Sequence, residues 1–460
     1  LSLSTFFEAR SVAVIGASKT PGKIGHEILK NLALYEYKGK VYPVNPKEKE
    51  ILGMKCYKTV SEIENEVELA VIAIPPKSVP GVVEECGRKG VRGIVIVSGG
   101  FKELGDEGRE IEEQIVSIAR KYGMRIIGPN CIGIYDSRSK IDTFFQSRER
   151  MMRPKEGAVS FITQSGTFGC SFLEWAAEEG IGVARFVSYG NRADVDEPEL
   201  IEFLGEDERT RVIAVYMEGV GDGRRLMQSI SKTSRRKPVL ILKAGRTKAG
   251  SRVALSHTGW LAGEDRIFDS AIKQAGGIRA ENMEELQDMI KALVKQPLPK
   301  GNRIGMVTNG AGPCVMAADS IVERGMKMAE LSQETLDLLK RELPPYCVPG
   351  NPVDLTGSAT SKDYDVAIRL LMEEERVDIV MPFFVFQDTP LDEGIIEVML
   401  RIRDEYPEKP IICGASGANY TRKKTKELEE IGIPVYPTPE RAVSAAYALW
   451  TYSLIRQSRQ

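Results

Sequence analysis

The stretch Ser11-Val12-Ala13-Val14-Ile15-Gly16-Ala17-Ser18-Lys19-Thr20-Pro21-Gly22-Lys23-Ile24-Gly25 decides how this 460-residue chain is read. A β-branched run enters a glycine turn, and a helical apolar pattern continues to about Leu34. Strand, glycine turn and helix open a Rossmann-like unit, where backbone N–H groups at the helix start face a phosphate. The same order returns at 157–163, followed by Gln164-Ser165-Gly166-Thr167-Phe168-Gly169, and at 302–308, followed by Asn309-Gly310-Ala311-Gly312-Pro313. Three openings in a chain of this length predict an α/β protein of three consecutive domains. Residues 1–150 read as the Rossmann-like domain, and 151–298 and 299–460 as two flavodoxin-like domains with parallel sheets. The divisions fall at the basic connection 148–155 and the Pro/Gly linker 296–301.

Lysine and arginine (63) balance aspartate and glutamate (65), which argues against a general nucleic-acid or membrane binder. The 7 cysteines are scattered, with no CxxC, and the 2 histidines are far apart, so no metal site is expected. Reduced thiols fit best. The first ten residues hold too short an apolar run for a signal peptide, and no stretch approaches a membrane span. The expectation is a cytoplasmic protein.

In the first domain the strand 40–44 is followed by Asn45-Pro46-Lys47. An NAD site wants an acid there for the ribose hydroxyls. Lys47 instead favours a ligand with an extra phosphate, such as NADP or the 3′-phosphate of coenzyme A. Later strands end in Pro75-Pro76, in Ser98-Gly99-Gly100-Phe101 and in Gly128-Pro129-Asn130-Cys131. In an open parallel sheet such ends line the ligand crevice. Helix 103–122 reads as a solvated outer helix, and His26, after the first glycine turn, as structural.

In the second domain Ser165 and Thr167 can cap a helix whose free N–H groups and dipole favour an anion. The next strand ends in Tyr189-Gly190-Asn191-Arg192, and the strand 212–217 runs into Glu218. Strand 238–242 leads into Lys243–Gly259, rich in Gly, Ser and Thr and carrying Lys243, Arg246, Lys248, Arg252 and His257. It reads as an exposed, mobile loop. By itself His257 reads as a nucleophile, a proton shuttle or a bystander. An anion site at Ser165, a carboxylate at Glu218 and a histidine beside basic residues together suggest phosphoryl chemistry on His257. Residues Gly310, Ala311 and Gly312 form a second candidate anion cradle, with Pro313 suited to the first helical turn.

Taken in order, Gly16-Ala17-Ser18-Lys19, Gln164-Ser165-Gly166-Thr167, Tyr216-Met217-Glu218-Gly219, Ser256-His257-Thr258-Gly259 and Asn309-Gly310-Ala311-Gly312-Pro313 resemble the α subunit of ADP-forming acyl-CoA synthetases, in the succinyl-CoA synthetase superfamily. The resemblance covers nearly the whole chain. It implies a reversible reaction, acyl-CoA + ADP + phosphate to carboxylic acid + ATP + CoA, through an acyl phosphate. His257 would carry the phosphoryl group and Glu218 would support the phosphohistidine. Gln164, Ser165, Gly166 and Thr167, with Gly310, Ala311 and Gly312, would cradle the phosphate. Coenzyme A, a substrate, would lie along Gly16, Ala17, Ser18, Lys19, Lys47, Pro75, Ser98 and Gly99, with Asn130, Cys170 and Asn191 at the acyl pocket. Cys170 stands where succinyl-specific relatives carry tyrosine, which argues against succinate.

The sequence shows no ATP-grasp pattern and no P-loop, so Mg-ADP and ATP would bind a separate ATP-grasp β subunit in an α2β2 assembly. Two other functions remain in play: an NADP-linked oxidoreductase built on the first domain, and a non-catalytic CoA-binding sensor.

Overall fold

The computed structural model describes residues 3–258 and 264–458, without the side chains of 254–258. The chain divides into two compact units, Leu1–Arg279 and Ala280–Gln460.

The first unit holds two sheets. Five parallel strands run in the order Lys40–Val44, Ser11–Ile15, Leu69–Ile72, Gly93–Ile96, Arg125–Ile127. The strands Ser11–Ile15, Leu69–Ile72 and Gly93–Ile96 are buried along their whole length. Helices cover both faces: Val12 and Val14 pack with Ile28 and Leu32, while Ala13 and Ile15 pack with Val83 and Ile115. That is why the strands read as continuous apolar runs. Gly16, at φ +89°, closes the first turn. A Cβ there would overlap the Ala73 carbonyl oxygen, and one at Gly25 would overlap that of Gly16. Only glycine lets helix Ile24–Ala33 start so close to the strand ends.

The second sheet has the order Ile278–Ala280, Val239–Lys243, Val212–Met217, Glu156–Thr163, Val183–Ser188, Ile134–Asp136. Its four middle strands are parallel. The edge strand Ile134–Asp136 runs antiparallel to Val183–Ser188, an addition that sequence reading did not anticipate. One buried cluster contains Val12, Val14 and Ile127 from the first sheet and Ile134, Ile162, Val187 and Ile213 from the second, so the two sheets share a core.

The second unit holds strands Lys327–Met328, Arg303–Thr308, Ile379–Phe384, Cys413–Ala415 and Val435–Tyr436 in that order, all parallel, with Val353–Asp354 also paired to Arg303–Thr308. Helix Met283–Lys295 packs along helix Pro439–Gln457. Arg441 clamps the buried Asp288 through Nε and Nη2, each at 2.7 Å, and Lys291 meets Glu429 at 2.6 Å. These pairs hold the helix in this unit, so the linker 296–301 lies inside it.

Three local expectations change. Lys243–Gly259 is not all loop: helix Lys248–Thr258 occupies most of it. Thr247 Oγ1 accepts from Gly250 N at 3.1 Å, and Ser251 Oγ donates to the Gly245 carbonyl at 2.8 Å. A threonine cap followed by Ala, Arg and Leu outweighs the turn-forming composition. Lys243 is buried over the Phe268 ring, its ammonium 5.5 Å from the centroid, and burial pulls its pKa down against the opposing pull of Asp265. Glu112, on the helix read as solvated, is buried and paired with Lys102 at 2.9 Å.

Candidate active site

Strand Glu156–Thr163 delivers Thr163, whose hydroxyl donates to the Ser165 carbonyl at 2.8 Å and accepts from Ser165 N at 3.1 Å. Ser165 Oγ then caps helix Gly166–Glu178 by accepting from Phe168 N at 3.3 Å. Phe168 stacks on Tyr216 with centroids 4.1 Å apart, fixing the first helical turn against the neighbouring strand. The amides of Gly166 and Thr167 come first in the helix, have no intrahelical acceptor and carry the positive end of its dipole.

Between Thr163 and Ser165 sits Gln164, 4% exposed. Its Oε1 accepts from Glu218 N at 2.9 Å and Gly219 N at 3.4 Å. Its Nε2 is buried without a hydrogen-bond partner among the described residues. Glu218 is itself buried, with Tyr216 OH 3.4 Å from its Oε1. Behind this corner Arg192, in the left-handed region at φ +59°, donates to Glu197 Oε1 at 2.5 Å and to the Gly219 carbonyl at 3.2 Å. Burial raises the Glu197 carboxyl pKa, and Arg192 opposes that rise.

A cavity of about 380 Å³ opens beside the helix start. It gathers Gln164, Ser165, Gly166 and Thr167 with Asn130, Cys170 and Asn191. Asn191 is buried, and its Nδ2 donates to Glu103 Oε2 at 2.6 Å and Glu112 Oε2 at 2.9 Å. With both amide hydrogens used, it shapes the wall. Glu103 also accepts from Gly100 N at 2.6 Å. Burial would raise the Glu103 pKa, but these hydrogen bonds outweigh it and hold the carboxyl low. The Glu103 turn, Lys102–Leu104, lies against helix Lys248–Thr258. The backbone of His257 belongs to that helix, and its side chain lies outside the described residues.

The first sheet's candidates form a separate group. Asn45 Nδ2 donates to the Ala17 carbonyl at 2.7 Å, joining the Gly16–Lys19 turn to the Lys47 turn. Ser98 Oγ donates to the Ile74 carbonyl at 2.6 Å, joining the loops at Pro75 and Ser98. Lys19 pairs with Glu48 at 3.2 Å, and Lys47 is exposed. His26 is buried, with Nδ1 2.8 Å from the Ser18 carbonyl, a structural contact.

The second unit repeats the Thr163 turn. Thr308 Oγ1 holds Gly310 through its carbonyl at 2.8 Å and its N–H at 3.0 Å. Asn309 Oδ1 accepts from Val385 N, the first residue beyond the neighbouring strand, at 2.8 Å. Unlike Gln164, Asn309 spends its Nδ2 too, on the Val385 carbonyl and Asp388 Oδ2, both at 3.0 Å. Helix Gly312–Glu323 starts just beyond, with Pro313 in its first turn.

Sequence reasoning missed Glu103, Phe145 and Gln146 as parts of this neighbourhood. Phe145 and Gln146 line the cavity from a connecting segment with no periodic signal. Among the described residues no group of three or more His, Cys, Asp or Glu could hold a metal ion, and no helix is long and apolar enough to cross a membrane.

Residues 10–137 match the family described as CoA binding domain, 156–293 the succinyl-CoA ligase like flavodoxin domain, and 304–457 the ligase-CoA domain. The α subunit of acetate–CoA ligase [ADP-forming] II from Pyrococcus furiosus is 44% identical, over 97% of each chain. Acetate–CoA ligase [ADP-forming] from Methanocaldococcus jannaschii is 42% identical over 97% of this chain and 63% of its own length. The solved structure of dinucleotide forming acetyl-coenzyme A synthetase 1 from Ca. Korarchaeum cryptofilum, in complex with phosphate and ADP, superposes with a TM-score of 0.92 at 37% identity, covering 99% of this chain and 98% of that one. On its domains, its relatives and its fold alike, the chain belongs to the α subunits of the ADP-forming acyl-CoA synthetases.

Proposed function

We propose that this chain is the thioester-handling part of an ADP-forming acyl-CoA synthetase, catalysing acyl-CoA + ADP + phosphate to carboxylic acid + ATP + CoA and its reverse. The observation that carries the reading is the start of helix Gly166–Glu178 beside Gln164, whose Oε1 fixes the Glu218 backbone and whose buried Nε2 has no hydrogen-bond partner among the described residues. That corner suits a phosphate oxyanion.

Phosphate held by Gln164, Ser165, Gly166 and Thr167 attacks the thioester carbonyl, and the CoA thiolate leaves. A His257 ring nitrogen then attacks phosphorus, the carboxylate leaves, and Glu218 stabilises the resulting cationic phosphohistidine. Helix Lys248–Thr258 is the element that moves, and Gly310, Ala311 and Gly312 serve as the second phosphate cradle. Coenzyme A lies along Gly16–Lys19, Lys47, Pro75, Ser98 and Gly99, and the acyl group enters the cavity at Asn130, Cys170 and Asn191. Three successive segments divide this work, and helix Met283–Lys295 goes with the last of them. Mg-ADP binds an ATP-grasp β subunit in an α2β2 complex in the cytoplasm.

The test incubates the chain with acetyl-CoA and labelled phosphate, with and without the β subunit. An acid-labile, base-stable phosphoprotein is expected, lost in His257→Asn while CoA binding remains. Label persisting in that variant refutes the assignment of His257, and ATP synthesis by this chain alone refutes the need for a partner.

A further inference from the structure

The residues around the 380 Å³ cavity fall into groups with different attachments. Val97 and Asn130 belong to the coenzyme A side: Val97 precedes Ser98, and Asn130 N donates to the Ser98 carbonyl at 2.9 Å. Gly166 and Thr167 open the helix, and Ile132 lies against them, since a Cβ added at Gly166 would come within 2.5 Å of Ile132 Cγ2. Cys170 and Phe145 form another group. Cys170 lines the cavity one helical turn beyond Gly166, while Phe172 and Leu173 are buried. Arg153 connects it to the Phe145 segment: its Nη2 donates to the Gln146 carbonyl at 2.8 Å, and its charge opposes the rise that burial gives the Cys170 thiol pKa.

Phe145 is fixed through both of its neighbours. Asn31, fully buried, donates through Nδ2 to the Phe144 carbonyl at 2.8 Å and to the Gln146 carbonyl at 3.0 Å. The Phe144 ring is buried edge-on to Phe186, with centroids 5.3 Å apart. Phe145 is partly buried and packs against the core that the two sheets share, so its ring is a backed wall.

A bound thioester is one continuous chain. With its pantetheine arm beside Ser98 and its reacting carbonyl at the helix start, the acyl group passes Asn130 and Asn191 and is left the end at Cys170 and Phe145. Resting on the acyl-CoA reading above, we propose that Phe145 is a specificity-determining residue whose ring closes the acyl end of the cavity and limits the substrate to short acyl chains. A chain that stops at the ring gains by burial against it. A longer one must displace an aromatic side chain backed by a close-packed core.

The test is calorimetric titration of the wild-type, Phe145→Leu and Phe145→Ala chains with acetyl-CoA and hexanoyl-CoA, without phosphate and so without turnover. The readout is the ratio of the two affinities on the same sample, which a general loss of folded protein does not move. The ratio of hexanoyl-CoA to acetyl-CoA affinity should rise from wild type through Phe145→Leu to Phe145→Ala, by roughly tenfold at alanine, with acetyl-CoA binding itself little changed. An unchanged ratio overturns the proposal. A falling ratio, which would make the ring a contact for long chains instead of their limit, overturns it too.

The milder Phe145→Leu variant keeps the test decisive if the alanine variant folds poorly. Weaker binding of both thioesters in equal measure, with a lower Tm in both variants, marks Phe145 as structural and refutes the assignment. Failure of the underlying reading looks different: a wild-type chain that binds neither thioester removes the acyl-CoA reading and this proposal together, whereas acetyl-CoA binding with a fixed ratio removes the proposal alone.

Discussion

The side-chain carbonyl of Gln164 accepts the backbone N–H of Glu218 at 2.9 Å, so the residue that opens the phosphate turn also sets where the acid begins. Replacing Gln164 with Leu strands the buried amides of Glu218 and Gly219. It should cost about 1–3 kcal/mol in urea unfolding and abolish labelling by phosphate. Gln164→Glu keeps the acceptor and exchanges the N–H2 for negative charge. At a pH low enough to keep the buried carboxyl protonated it should melt above Gln164→Leu, and at neutral pH its charge should destabilise the corner and raise KM for phosphate roughly 100-fold. Equal melting of the two variants at the low pH would show that the contact to Glu218 carries no stability.

The Arg192–Glu197 pair gives a pH-dependent signature. The Glu197 carboxyl is raised by burial, with Arg192 opposing. A raised carboxyl contributes stability that is full below its unfolded value and is lost as pH rises through the folded one. Arg192→Met removes the opposition, widens that window upward and leaves a buried charge uncompensated, at about 3–5 kcal/mol. Urea melts of Arg192→Met against the Arg192→Met/Glu197→Gln double variant should diverge as pH rises from about 5 to about 8. Parallel curves would place the charge elsewhere.

Asn191 ties the cavity wall to the Lys102–Leu104 turn, on which helix Lys248–Thr258 rests. Asn191→Leu should speed amide hydrogen exchange in both elements, and the rest of the second sheet should be unaffected. The Glu103 carboxyl, held low by its hydrogen bonds, contributes stability above its unfolded value that fades as pH falls through the folded one. The variant should lose part of this acid dependence. Faster exchange in the turn alone would show that the helix is held independently.

The shared core predicts which fragments fold. Residues 1–279 should unfold cooperatively and bind CoA. A fragment ending at residue 150 keeps Ile134, Val97 and Ile127 but loses Ile162, Val187 and Ile213 from the same buried cluster. It should expose apolar surface, bind a hydrophobic dye and melt without a sharp transition.

Strands and glycine turns were legible because their signals are local: Gly16, Thr163 and Thr308 each end a buried β-branched or apolar run. Ser165, Glu218 and His257 were grouped because each follows a strand of one parallel sheet; the first two stand at neighbouring strand ends, and the His257 side chain lies outside the described residues. What composition hid depends on distant partners. The turn-rich Lys243–Gly259 segment folds largely as a helix around a single threonine cap, and Glu112 is buried because Lys102 and Asn191 meet it. Ile134–Asp136 is too short to announce itself, and its direction is set by Val183–Ser188. Helix Met283–Lys295 joins the second unit through Arg441 and Glu429, each more than a hundred residues away.

The two threonine turns differ by one methylene, and that difference divides their needs. Asn309 closes on Val385 and Asp388 and is complete as it stands. Gln164 reaches one atom further and is left with an open hand. Through their side chains, then, the first turn keeps an amide that has no partner among the described residues and the second does not, so inorganic phosphate should protect the Gln164 corner from exchange far more than the Asn309 corner.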